Sequence, residues 1–255
     1  MADFTKDKNF QELVADALHH NNDEGPMTLS TFTQLMQQFY DLGWMRGSGG
    51  AMGCVSGKNL MISPSALQKE RIKEADIFVY DIEQKTELQR PVNKKITVSS
   101  CSVLFSSIMK QTGSECVIHT HSKYANLITQ VIKQDTFEIS HQEYIKGIYN
   151  PFSGQNLKYN DTLVIPIITN KPSESQLLNP IEEVLQNYPQ AVAVLVRNHG
   201  LFVWGPTWES TKIMVECIDY LLELAVDMVK NNLPMTREEI RREDSFDYLE
   251  TVFNP

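Results

Sequence analysis

A chain of 255 residues, 42% hydrophobic and 22% charged, has enough apolar surface for one large core and no need of a second domain. Its net charge of -9 excludes a general nucleic-acid binder, which needs a basic face. Its apolar runs fall far short of the ~20 residues that span a bilayer. The four cysteines, Cys54, Cys101, Cys116 and Cys217, form no C-x-x-C pair and fit the reduced thiols of a cytoplasmic protein. The N-terminus lacks the apolar core of a signal peptide.

Residues 1–26 are polar and predict a short helix and a loop, with His19 and His20 solvated. Over residues 28–40, Leu29, Phe32, Leu35, Met36, Phe39 and Tyr40 follow helical spacing, with Thr28 or Ser30 as cap. The segment Arg46-Gly-Ser-Gly-Gly-Ala51 follows. Its glycines let backbone approach a ligand, and successive N–H groups can hold a phosphate. It is not a Walker A loop, and a flexible hairpin explains it equally well. Residues 60–63 and 77–81 predict strands, with Ser63 and Ser65 near the turn at Pro64 and with Lys69 and Arg71 as nearby cations. Residues 82–96 predict a polar hairpin or excursion.

Ser99, Ser100 and Cys101 precede a helix with Val103, Leu104, Phe105, Ile108 and Met109 on its apolar face. A helix N-terminus there attracts anions. The stretch Cys116-Val-Ile-His-Thr-His-Ser-Lys-Tyr124 predicts a strand end running into a helix over 123–132, with Tyr124, Leu127, Ile128 and Val131 on one side. Strand alternation points His119 and His121 the same way, which is half of a metal site or two solvated histidines. Residues 137–145 alternate like a strand until the polar cluster His141-Gln-Glu143. Residues 163–168 and 191–196 predict buried strands. Between them residues 173–188 predict a helix, with Ser173 and Gln176 as a capping box and Pro180 as a kink or restart. Asn198-His-Gly200 predicts a tight turn before a strand over 201–204, and His199 there is a candidate third ligand. Residues 207–230 predict the longest helix, and residues 231–255 a polar tail in which 236–239 cap a short helix.

Three histidines from two strand ends would make a catalytic zinc site with an open position. Five segments occur in order: Gly43-Trp-Met-Arg-Gly-Ser-Gly-Gly50, Pro64-Ser-Ala-Leu-Gln-Lys-Glu-Arg71, His119-Thr-His-Ser-Lys123, His141-Gln-Glu143 and Val196-Arg-Asn-His-Gly200. Together they resemble the class II aldolase/adducin family over about residues 29–230. The resemblance implies a three-layer α/β/α fold around a central, largely antiparallel sheet. It implies a catalytic domain over residues 27–232 between a polar N-terminal segment, 1–26, and a polar tail, 233–255. It also implies a homotetramer with sites near subunit interfaces; the cytoplasmic setting and the lack of a nucleic-acid or membrane partner are the expectations from cysteine usage, charge and apolar run length.

By motif position the resemblance makes His119, His121 and His199 ligands of one Zn2+ per chain, and Glu143 the general acid/base. Ser48, Gly49, Gly50, Ser63, Ser65, Ser99 and Ser100 fall in the phosphate-holding segments, and Cys101 falls at a substrate-contacting position. Ala51-Met-Gly53 departs from the usual continuation of the glycine loop. The implied reaction is dehydration of a phosphorylated ketose, 5-methylthioribulose 1-phosphate, in methionine salvage. Two alternatives are a sugar-phosphate aldolase or epimerase of the same family and a non-catalytic adducin-like protein. Cys101 speaks against the first, since the aldolases carry a glutamate there, and the three histidines speak against the second.

Overall fold

The structure, a computed structural model, describes residues 25–236. The expected N-terminal helix, with His19 and His20, and the expected helix cap over 236–239 lie outside the described residues or straddle their edge. In chain order the strands are β1 (Ala51–Ser56), β2 (Asn59–Ile62), β3 (Phe78–Asp81), β4 (Thr86–Gln89), β5 (Cys116–Thr120), β6 (Thr136–Ser140), β7 (Tyr149–Asn150), β8 (Gln155–Asn156), β9 (Thr162–Ile168), β10 (Ala193–Val196) and β11 (Gly200–Gly205). The α-helices are α1 (Leu29–Asp41), α2 (Ser102–Thr112), α3 (Lys123–Val131), α4 (Leu178–Asn187) and α5 (Trp208–Lys230).

Nine strands form one sheet in the order β4-β3-β2-β1-β5-β11-β10-β9-β6. Within it β9 and β10 pair in parallel, and every other neighbouring pair is antiparallel. The sheet is covered on both faces, so its central strands are buried on both sides rather than alternating between core and solvent. All residues of β5, β10 and β11 are buried. Cys116 and Ile118 of β5 join the core under α1, α3 and α5, while Val117 joins the core under α2 and α4. That division makes the three layers. Side chains such as Phe32, Phe39 and Phe105, each at 0% exposure, supply the driving force at about 1.5–3 kcal/mol apiece.

Helix ends follow local chemistry. The Thr28 hydroxyl accepts from Thr31 N–H at 3.1 Å to start α1, and the Thr207 hydroxyl accepts from Ser210 N–H at 3.2 Å to start α5. The expected helix over 173–188 divides. Glu174–Leu177 is a 3-10 turn, and Pro180 falls in the first turn of α4, where its missing N–H costs nothing. The Ser173 side chain makes no capping bond; Gln176 N–H instead donates to the Ser173 carbonyl at 3.0 Å. In α3 the buried side is Ala125, Ile128 and Thr129, and Val131 is 39% exposed, because α3 packs beside α5 as well as on the sheet.

One contact fixes the centre of the sheet. A Cβ on Gly200 would lie 2.0 Å from the Thr120 carbonyl oxygen. Only glycine lets β11 begin this close to the end of β5. Gly200→Ala is expected to destabilise the protein by about 3 kcal/mol, the upper part of the overpacking range. Chemical denaturation of the two proteins measures the difference.

Candidate metal centre

The register brings several strand ends to one edge of the sheet. Ala51 at the start of β1 pairs with His119, and Leu201 at the start of β11 pairs with Thr120. Val196 at the end of β10 pairs with both Gly200 and Ile168, the last residue of β9. The residues just beyond these ends therefore share one place, as in α/β proteins generally.

His119, His121, His199 and Glu174 meet there, with one possible ligand atom from each lying within 4.8 Å of all the others. His121 Nε2 is 3.0 Å from His119 Nε2 and 2.9 Å from His199 Nε2. Each imidazole is set by its own element. His119 is the fourth residue of β5 and stacks on Phe202 with ring centroids 3.9 Å apart. His121 lies one residue past the strand, and its N–H donates to the Trp44 carbonyl at 2.8 Å. Trp44 Nε1–H and the Ser122 hydroxyl both donate to Asp219 of α5, the first at 2.8 Å, so the long helix anchors this strand end. His199 sits in a turn whose left-handed residue is Asn198, φ 56°, a residue type that tolerates that region.

The second ring nitrogens decide what the first can do. His119 Nδ1–H donates to the Leu201 carbonyl at 3.0 Å, which leaves His119 Nε2 as a bare lone pair. His199 Nδ1 is 3.1 Å from Asn170 Oδ1; with the amide oxygen accepting, His199 Nε2 is bare as well. Burial keeps all three rings neutral. It pushes His119 well below the ordinary histidine range, with His121 and His199 adding to the effect. Burial also lowers His121, to about 4, and lowers His199 against the opposing pull of Glu174.

This donor set fits a divalent metal ion. A proton on His121 Nε2 can be directed fully at only one of its two bare neighbours. A cation between the rings would satisfy three lone pairs at once. Two of the rings already carry the outer hydrogen bonds that orient metal-bound histidines.

Glu174 was not legible as a site residue in the sequence. Its Oε1 lies 3.9 Å from His119 Nε2 and 3.8 Å from His199 Nε2. Its other oxygen accepts a hydrogen bond from the Cys101 thiol. Burial first, and the neighbouring carboxylate second, push Cys101 well above the usual thiol range, so it remains a protonated donor. A carboxylate in the loop after an apolar strand that ends beside the Asn-His-Gly turn was the only available signal.

The expected anion-holding segments also converge here. Pro64 bridges Val98, and Ser99 N–H donates to the Ser63 carbonyl at 3.1 Å. The Ser63 hydroxyl accepts from Met52 N–H at 3.0 Å, and the Ser99 hydroxyl accepts from Cys101 N–H at 3.2 Å; each keeps its own proton to donate. Ser48 and Ser100 are exposed, and Ser65 is half-buried. Gly49 lies against His121: a Cβ there would be 2.5 Å from Nδ1. Gly50 has φ +70° and leaves no room for a Cβ beside Met45. Lys69 is completely buried, and its ammonium donates to the carbonyls of Ser48 at 3.2 Å and Leu67 at 2.9 Å. Burial lowers its pKa to about 8, so it stays mostly charged at neutral pH.

Glu143 is placed elsewhere. The expected strand stops at Ser140, His141 turns the chain at φ 57°, and Glu143 opens a 3-10 turn, Glu143–Gly147. Ser140 pairs with Thr162, the first residue of β9, whereas the histidines gather beyond its last. At about 3.3 Å per residue, the six steps along β9 separate the two ends by about 20 Å. The Glu143 side chain is 71% exposed and pairs with Lys146 at 2.6 Å. His141 Nδ1 is 3.0 Å from Ser140 Oγ and its ring lies edge-on to Tyr159. The fold thus does not carry Glu143 to the histidines of its own chain.

Residues 30–226 match the family described as "Class II Aldolase and Adducin N-terminal domain". A Caenorhabditis elegans protein named "Probable methylthioribulose-1-phosphate dehydratase" is 73% identical over 247 residues, 96% of this chain and 94% of that protein. A Danio rerio methylthioribulose-1-phosphate dehydratase is 46% identical over 200 residues, 78% of this chain and 83% of that one. Among solved structures, an L-fuculose 1-phosphate aldolase superposes with a TM-score of 0.62 at 16% identity, covering 88% of this chain and 99% of that chain; it shows the shared fold. The chain belongs to the class II aldolase and adducin family.

Proposed function

We propose that the protein removes water from 5-methylthioribulose 1-phosphate, giving 2,3-diketo-5-methylthiopentyl 1-phosphate in methionine salvage. The observation that carries this reading is 73% identity, over 96% of the chain, to a protein bearing that dehydratase name. The convergence of His119, His121 and His199 supports it and suits one Zn2+ per chain. The catalytic domain spans residues 27–232 in this reading, and the compartment is the cytoplasm. No helix among the described residues is long and apolar enough to cross a membrane.

Dehydration removes the proton on C3, beside the C2 ketone, and the hydroxyl on C4. A zinc ion held by the three imidazoles would polarise the ketone and acidify that C–H. The chain supplies the rest. The hydroxyls of Ser63, Ser65, Ser99 and Ser100, the backbone N–H groups of Ser48 and Gly50, and the buried Lys69 charge behind the loop hold the phosphate, while the Gly49 N–H closes the loop onto the Arg46 carbonyl. That remote grip fixes C3 and C4 over the histidines. Cys101 lies at the same wall of the site, its thiol donating to Glu174, and its sulfur is assigned to the sugar.

Proton transfer is assigned to Glu143 of a neighbouring copy. The roughly 20 Å of β9 between the two places argues for this arrangement over transfer within one chain. The side chain's exposure supports it, and so does the exposed Tyr144–Tyr220 stack beside it, with centroids 4.1 Å apart, which a second copy would cover. Glu143 takes the C3 proton, a C3=C4 double bond forms as the C4–O bond breaks, and the carboxylic acid returns its proton to the departing hydroxyl as water. The resulting C3 enol becomes the ketone by protonation at C4. A homotetramer satisfies this arrangement.

Incubation with 5-methylthioribulose 1-phosphate should yield the diketone, with no cleavage of fuculose 1-phosphate. The reverse pattern would make the protein an aldolase. Elemental analysis should find about one zinc per chain, lost in His119→Ala. Glu143→Gln should keep its zinc and lose turnover by about 10²–10⁴-fold. Mixed oligomers reassembled from inactive Glu143→Gln and His119→Ala chains should regain turnover, since each supplies what the other lacks. Failure of the mixture to recover, with both variants folded and co-assembled, would return proton transfer to a group within one chain.

A further inference from the structure

Glu174 has no part in the function proposed above, yet it is the carboxylate that shares a place with the three histidines. Its position is built rather than incidental. Leu177, at the other end of its 3-10 turn, is completely buried, and Cys101, which holds Glu174 Oε2, is 2% exposed. Both anchors belong to the core under α2 and α4.

The distances suit direct ligation. Tetrahedral coordination with bonds of about 2.0–2.1 Å places ligand atoms about 3.3 Å apart. The imidazole nitrogens stand at 2.9 and 3.0 Å, and Glu174 Oε1 at 3.8 and 3.9 Å from two of them. These values bracket the tetrahedral edge, so a few tenths of an ångström of side-chain movement completes the set. We infer that Glu174 is the fourth protein ligand of the resting metal centre, tethered through its second oxygen by the Cys101 thiol. This rests on the reading of the three histidines as a metal site. A catalytic metal needs one position for substrate, so the carboxylate must give way when the ketose arrives. The thiol keeps it beside the site when it does.

The test uses the full chain, stripped of metal and titrated with Co2+. The visible absorption of the Co2+ protein reports the ligand set, and competition with a chelator reports affinity. Wild-type protein should take up one Co2+ with a four-coordinate spectrum. Glu174→Gln should bind it about 100-fold more weakly, with a changed spectrum, and Cys101→Ala about tenfold more weakly, as loss of an outer-shell partner does. Glu174→Asp, which keeps the charge on a shorter arm, provides the same comparison if Glu174→Gln does not fold. Wild-type affinity and spectrum in the Glu174 variants would overturn the inference and leave the three-histidine centre standing. No Co2+ uptake by wild-type protein would overturn both.

Discussion

The Leu201 carbonyl determines which nitrogen of His119 carries the proton. By accepting from Nδ1–H it turns the Nε2 lone pair toward His121 and His199. That bond exists because β11 starts immediately beside the end of β5, and β11 can start there because Gly200 presents no side chain to the Thr120 carbonyl. A chemical property, the tautomer of one ring, thus descends from the close packing of two strands. Burial then keeps the ring neutral, since a charge in that interior would cost far more than a lone pair.

The opposite requirement holds a few residues away. Lys69 is as buried as His119 but retains its ammonium, because two backbone carbonyls of the neighbouring loops accept its protons. Neutral donors for a cation and a charged group behind the glycine loop therefore sit side by side. Their coexistence depends on hydrogen bonding: a buried ionised group survives when its donors are met, and a buried lone pair survives when nothing protonates it.

The edge of the sheet that carries these groups is rigid on both sides. Asp219 of α5 receives the Trp44 indole and the Ser122 hydroxyl, while Cys101 and Leu177 hold the Glu174 turn from the other face. Side chains supported this way occupy the site with little freedom to lose on binding. Glu143, on an exposed turn where it pairs with Lys146, has no such support among the described residues.

Much of this was legible in the sequence. Helical spacing marked α1 and α5, unbroken apolar runs marked β9 and β10, and the His-x-His and Asn-His-Gly segments marked the three imidazoles, because periodicity and turn chemistry are local properties. The alternation rule also extended correctly one residue beyond β5 to His121. It failed at residues 141–143, where His141 takes a left-handed conformation and ends the strand, which period-2 spacing does not encode. The capping box at Ser173 failed similarly, its backbone carbonyl taking the bond offered to its hydroxyl. The sequence by itself determined that His119, His121 and His199 could be ligands and on which elements they ride. Tertiary structure alone decided that Glu174 stands among the histidines and Glu143 does not. Both follow from the parallel pairing of β9 with β10 and the antiparallel pairing of β9 with β6, a long-range register that sends one glutamate to each end of the same strand.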